Sequence, residues 1–240
     1  MLQPALRKAV EGFCTENHST AFRVLGAAFN VLLACYSGQD DICVGTPVTP
    51  PLPAEIEPLI GLFSYTVVVR TQLSDTLTFS DLCSQVGASV TGAIRRALPF
   101  DLIVNAVQPP RDTSRMLLFQ ANLRVRQAPL KALSLSGLEV TAPEWVDTYT
   151  SKFDLSFEIV ANGGPGGFVE YRTDLFDEAT IARLAGDFYA LTAVLIRQPD
   201  CPLGSLPEVQ SLKSRFRRFK PQTPRTFQRG AGIELAPAVA

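Results

Sequence analysis

No segment constrains this chain more than residues 21–36, AFRVLGAAFNVLLACY, an apolar run interrupted only by Arg23 and Asn30. Ser19 and Thr20 stand before it as side-chain N-caps, and Ser37-Gly38 after it offers a glycine suited to a left-handed C-cap. The run falls short of the roughly 20 apolar residues that cross a bilayer. It therefore predicts a buried core helix. With 240 residues, 46% of them hydrophobic, the chain is long enough to surround such a helix with one substantial core.

The covering layers follow in order. Residues 41–48 read as a strand through Ile42 and Val44, with Pro47 near its end, and residues 49–58 carry four prolines and read as a loop. A second strand over 62–70 is dominated by Thr66, Val67, Val68 and Val69, which predicts cover on both faces. Thr78 and Asp81 then form a capping pair ahead of Leu82, Val86, Val90 and Ile94 at helical spacing. Pro99 opens a short helix over 100–107. Residues 117–127 and 138–146 are expected strands. In residues 152–159, Phe153, Leu155, Phe157 and Ile159 alternate with Lys152, Asp154, Ser156 and Glu158, and the glycine-rich turn 162–167 folds this strand onto 168–173 as a hairpin. Asp177 caps a last helix whose stripe is Ile181, Leu184, Phe188, Leu191 and Leu195, stopped by Pro199.

This mixture predicts an α/β (α+β) two-layer sandwich, helices packed on a mixed sheet. Three segments are expected: 1–18, an N-terminal helix at a lobe boundary; 19–207, the folded body; and 208–240, a basic disordered tail. The tail rests on residues 210–229, which hold seven Lys or Arg, no acid and two prolines.

Several function classes drop out. A net charge of −1 provides no global field toward nucleic acid or membrane, and the tail has neither an amphipathic pattern nor an RNA-binding motif. The five cysteines lack CxxC pairing or a nearby His, so no metal site is predicted, and they read as reduced, mostly buried thiols. Arg7, Lys8, Glu11 and Glu16 do not suit a signal peptide, which predicts a cytoplasmic location. His18 is the only histidine, and it reads as a solvated residue before a helix cap, with no G-x-S-x-G motif nearby. The glycines of 163–167 surround Pro165, lack a following Lys-Ser/Thr and join two strands, so they read as a turn and not a phosphate cradle. No catalytic residue is assigned.

Residues 36–48, YSGQDDICVGTPV, resemble the run that opens the second lobe of nonribosomal peptide synthetase condensation domains. Residues 60–70, IGLFSYTVVVR, resemble the family motif IGxFVNTLxxR and contain Gly61, Phe63, Ser64, Tyr65, Thr66 and Arg70. Residues 111–119, RDTSRMLLF, resemble RDxSRxPLF through Arg111, Asp112 and Arg115. Pro99 and Phe100 fall where the family has HQDxPFE, and residues 152–156 with Asp154 and 173–177 resemble two further segments. The resemblance runs from about residue 19 to Leu206. Ser64-Tyr65 stands in place of Val-Asn, Arg95-Arg96-Ala97 in place of His-Gln-Asp, and Leu117 in place of proline.

The resemblance implies one lobe, the C-terminal one, of a chloramphenicol acetyltransferase-like fold. In the family, carrier proteins bring phosphopantetheine-bound donor and acceptor thioesters into a tunnel between two lobes, and the acceptor amine attacks the donor thioester to form an amide. Phe63, Ser64, Tyr65 and Thr66 are the implied tunnel-floor residues, with Tyr65 placed to fill space a substrate would use. The other motif residues are read as structural: an Arg111–Asp112 pair orients the strand that follows, and Asp154 has a similar role. The family's HHxxxDG motif lies in the N-terminal lobe, and no such sequence occurs here. The expected partners are a carrier protein and a complementary N-terminal lobe, with no cofactor bound directly and with no activity alone. A non-catalytic carrier-docking module and a non-functional gene fragment are the alternatives.

Overall fold

The computed structural model describes residues 4–49, 51–96, 98–110, 114–126, 137, 149–161 and 167–216. The apolar run becomes helix α2 (Ala21–Ser37), preceded by α1 (Pro4–Glu16). Thr20 caps α2 by accepting from the Arg23 amide at 3.4 Å, and Gly38 closes it at φ 70° with its amide donating to Ala34 O. Strands β1 (Asp41–Val48) and β2 (Tyr65–Gln72) follow, then α3 (Phe79–Arg95), whose Thr78–Asp81 capping box is complete, and α4 (Phe100–Val107). The rest is β3 (Ala121–Arg126), β4 (Leu155–Val160), β5 (Phe168–Tyr171), α5 (Glu178–Arg197) capped by Asp177, a 3-10 turn Leu203–Ser205, and α6 (Pro207–Phe216).

The five strands make one mixed sheet in the order β2-β1-β3-β4-β5. β1 pairs antiparallel with β2 and parallel with β3, β3 runs parallel to β4, and β4 and β5 form the antiparallel hairpin. Alternate strand residues Ile42, Val44, Val69, Leu123, Leu155, Phe157 and Ile159 enter one core with α1, α2, α3, α5 and α6. At its centre Phe29, Phe157 and Phe188 form an aromatic triad with centroids 5.0 to 6.1 Å apart. α5 is long and apolar enough to cross a membrane, yet seven of its residues are buried in this core.

Four expectations change. β2 lies at the sheet edge and pairs only with β1, and, with Val67, Val69 and Thr71 buried but Arg70 and Gln72 exposed, the run TVVV is covered well on one face only. The strand expected over 117–127 shortens to β3. Glu158, placed by alternation on a polar face, is 8% exposed. The expected tail begins too early: residues 207–216 are helix, and Val209 and Leu212 are buried against α2. Lys213 pairs with Asp75, Arg215 with Asp187 at 2.9 Å, and Phe216 stacks on Tyr36 at 3.9 Å. Basic composition hid a helix whose charges are spent on ion pairs. The strand expected over 138–146, the turn 162–166 and the tail beyond 216 lie outside the described residues.

Candidate functional site

The sheet face turned away from the main core carries a second aromatic group. Gly45 belongs to that face, and a Cβ built on it would lie 2.1 Å from Cε2 of Phe119. The glycine is therefore required by the close approach of the ring. Phe119 is fully buried and meets Phe153 at 5.3 Å, while Phe100 at the start of α4 stands edge-on to it at 6.0 Å. These four residues come from four separate motifs: 36–48, 98–101, 111–119 and 152–156. What lies 108 residues apart in sequence, Gly45 to Phe153, closes into one contact group.

Three motifs meet again at Arg172. Its Nη1 donates to Ser114 O at 2.6 Å and to Asp154 Oδ1 at 3.4 Å, and Nη2 and Nε grip Asp174 at 2.6 and 3.1 Å. Hydrogen bonding from Arg172 holds the Asp174 carboxyl below its ordinary range. Arg172 was absent from the sequence-derived set, although its place just before the 173–177 motif was a usable signal. Asp154 is thus one of three groups held by a single guanidinium.

The remaining motif residues take separate places. Phe63 is half-buried with its ring folded over Gly61, and Ser64 Oγ lies 3.1 Å from Thr49 Oγ1, tying the two ends of the 49–64 loop. Tyr65, 37% exposed, shares a strand face with buried Val67 and Val69, whereas Thr66 shares one with Arg70. Strand alternation thus puts Tyr65 and Thr66 on opposite faces, while Phe63 and Ser64 belong to the loop before β2. Arg70 forks onto Asp41 at 2.8 and 2.5 Å and holds that carboxyl below its usual range. Both side chains are largely exposed, so the pair adds about 1 kcal/mol at most. Pro99 is the N-cap residue of α4, Arg115 is exposed at a bend, and Arg111 and Asp112 lie outside the described residues.

A polar strip completes this face: Asn122 Nδ2 donates to Ser156 Oγ at 3.0 Å, and Glu158 pairs with Arg124 at 3.4 Å and Arg126 at 2.5 Å. No nucleophile–base pair emerges among the described residues. His18 is exposed with φ 48°. Burial pushes the Cys35 thiol up to about 11 and that of Cys83 to about 12, so neither is a thiolate at neutral pH. The arrangement presents a sheet face and an ordered α4, and the described residues of that face form no nucleophile–base pair.

The family profile of the condensation domain matches residues 1–215. The chain belongs to the condensation-domain family. Among relatives of this condensation-domain chain, chondramide synthase of Chondromyces crocatus is 39% identical over 189 residues, 78% of this chain and 5% of that protein. A four-domain nonribosomal peptide synthetase bound to AMP and glycine superposes with a TM-score of 0.76 at 19% identity, covering 86% of this chain and 17% of that one. The first condensation domain of the CDA synthetase gives 0.67 at 15% identity, over 85% of this chain and 46% of that one. These superpositions establish the fold, that of the chloramphenicol acetyltransferase-like condensation domains. The chain spans about half the length of that condensation-domain chain.

Proposed function

We propose that this chain is the C-terminal lobe of a condensation domain in nonribosomal peptide synthesis, acting in amide-bond formation once a complementary N-terminal lobe supplies the HHxxxDG histidine. In that reaction the acceptor amine attacks the donor thioester carbonyl. The C–N bond forms, the C–S bond breaks, and the donor's carrier thiol leaves with a proton. Both substrates arrive on phosphopantetheine arms of carrier proteins, no cofactor is bound directly, and the setting is cytoplasmic. The observation that carries the reading is the meeting of Gly45, Phe100, Phe119 and Phe153 from four ordered motifs on the sheet face opposite the main core. The 46% span of a condensation domain and the absence of any second histidine support it.

This chain's own part is to order α4, β2 and the loop end that leads into it beside a tunnel, with Phe63, Ser64, Tyr65 and Thr66 as its floor residues. A positioned general base contributes roughly 10²–10⁴-fold, so the lobe by itself is a poor catalyst. The test is a condensation assay with two loaded carrier proteins, with and without the complementary lobe. Product is expected only when both lobes are present, and turnover by this chain alone overturns the reading.

A second reading, a non-catalytic carrier-docking module, is favoured by one patch. Leu59, Ile60 and Leu62 are 59%, 106% and 91% exposed, and α4 adds Leu102 and Val107 as further exposed apolar residues. Light scattering that finds a compact monomer with no carrier-protein binding removes it.

A further inference from the structure

Beyond the condensation reading, and independent of it, a cleft of about 660 Å³ between α2 and α3 collects Arg23, Arg95 and Arg96. No carboxylate lines it, and none of the three guanidinium groups has an acidic partner among the described residues. Outside the cleft Arg70, Arg124, Arg126, Arg172 and Arg215 are each matched by an acid, and the arginines without an ion pair among the described residues, such as Arg183 and Arg197, are not gathered around a common cleft. Three like charges around one cleft repel one another unless an anion sits among them.

The cleft is also shaped to hold those side chains in place. A Cβ at Gly87 would lie 2.7 Å from Nε and 3.0 Å from Cζ of Arg23, so the glycine lets a guanidinium from α2 lie flat against α3. Gly92, five residues on, is in ordinary contact distance of Arg96 Nη1 and does not constrain it. Ser84 adds a hydroxyl to the lining. Arg95 and Arg96 stand at the C-terminal end of α3, where the helix dipole alone would account for a cation. It does not account for Arg23, which α2 contributes from its first turn.

We propose that this cleft is a binding site for a phosphate-class oxyanion, held by the planar donor forks of Arg23, Arg95 and Arg96. Guanidinium forks match tetrahedral oxyanions by paired, charge-assisted hydrogen bonds, which a spherical anion such as chloride cannot accept in the same geometry. The test is calorimetric titration of the full chain with inorganic phosphate and, separately, with dimethyl phosphate, each against sodium chloride at matched ionic strength. Saturable phosphate binding is expected, with none for chloride. Arg95→Gln/Arg96→Gln, at exposed positions that leave the fold intact, weakens it about tenfold or more. Gly87→Ala, which displaces the Arg23 guanidinium without removing a charge, weakens it several-fold. A free phosphate source predicts preference for inorganic phosphate, whereas a phosphodiester source predicts equal or tighter binding of dimethyl phosphate. The absence of saturable binding above the chloride control, or unchanged affinity in the arginine and glycine variants, overturns the proposal.

Discussion

Two aromatic groups face away from each other across the sheet, and they differ in what they hold. Phe29, Phe157 and Phe188 are each 0 to 1% exposed and join two helices to a central strand. Phe100, Phe119 and Phe153 join the start of a short helix and two irregular segments to Gly45 of β1, with Phe100 only half-buried. The first group is the fold's own glue, built from residues whose periodicity declares them. The second is where the condensation motifs meet, and it shapes a face more than it sustains the core. If that division is right, substitutions in the two groups separate into global and local losses.

The largest expected effect is therefore Phe188→Ala. Removing a fully buried aromatic ring leaves a cavity against Phe29 and Phe157, and costs of about 3–5 kcal/mol are usual. Urea unfolding should show the unfolding free energy lowered by that amount, with the midpoint shifted accordingly and the whole secondary structure lost together. Phe100→Ala, by contrast, should lower the midpoint by well under half as much. Equal losses at Phe188 and Phe100 would erase the comparison.

Next comes Gly45→Ala. The new methyl carbon must push aside the Phe119 ring, and overpacking of this kind costs about 1–3 kcal/mol. A double-mutant cycle with Phe119→Leu sharpens the point, because the smaller side chain gives the methyl room. Gly45→Ala should then be much cheaper than in the parent chain. An unchanged cost in the Phe119→Leu background would mean that the glycine serves the backbone and not the ring.

These two groups also mark how much the sequence could disclose. α2, α3 and α5 were legible because their caps and apolar spacings are local, and the alternation of Leu155, Phe157 and Ile159 read correctly as one buried face, whereas Phe153, which lies before β4 begins, packs on Phe119 on the opposite side. α6 was hidden because what holds it is remote: Asp75 for Lys213, Asp187 for Arg215, and Tyr36 for Phe216. The edge position of β2 was hidden too, since a Thr-Val-Val-Val run signals β-propensity but not how many neighbours the strand has. At the candidate site each motif was visible singly. Their convergence on Gly45 and Arg172 was not, because no spacing within one motif records a contact with another.

A pH titration separates the two sides by a different route. Cys35 and Cys83 lie on the helix side, where burial raises their thiols to about 11 and about 12 from an ordinary value of 9.0. The unfolded chain therefore loses these protons first as pH rises past 9, and the folded state keeps them until its own higher values. Stability contributed by the neutral thiols is nearly complete below about pH 8 and declines as pH passes 9 toward 11–12, with roughly 3 kcal/mol gone by pH 10. Unfolding free energies from urea titrations at pH 8 and pH 10 should differ by about that amount in the parent and by less in Cys35→Ala/Cys83→Ala. The same alkaline fall in parent and variant would remove the thiols from the account.

The smallest expected change in global stability is at Arg172, and it is the most telling for the motif side. Arg172 is about one-third exposed and Asp174 mostly so, and solvent screening keeps the contribution of their pairing to global stability small. Yet the same guanidinium holds Ser114 O, Asp154 and Asp174 at once, which only a planar fork can do. Arg172→Lys preserves the charge and removes the fork. The urea midpoint should scarcely move, while limited proteolysis near Ser114 should accelerate several-fold, because the carbonyl anchor of that segment is gone. If cleavage there stays as slow as in the parent, the Arg172 knot is decoration on a segment already fixed by Phe119 beneath Gly45, and the motif side of the sheet depends on aromatic packing alone.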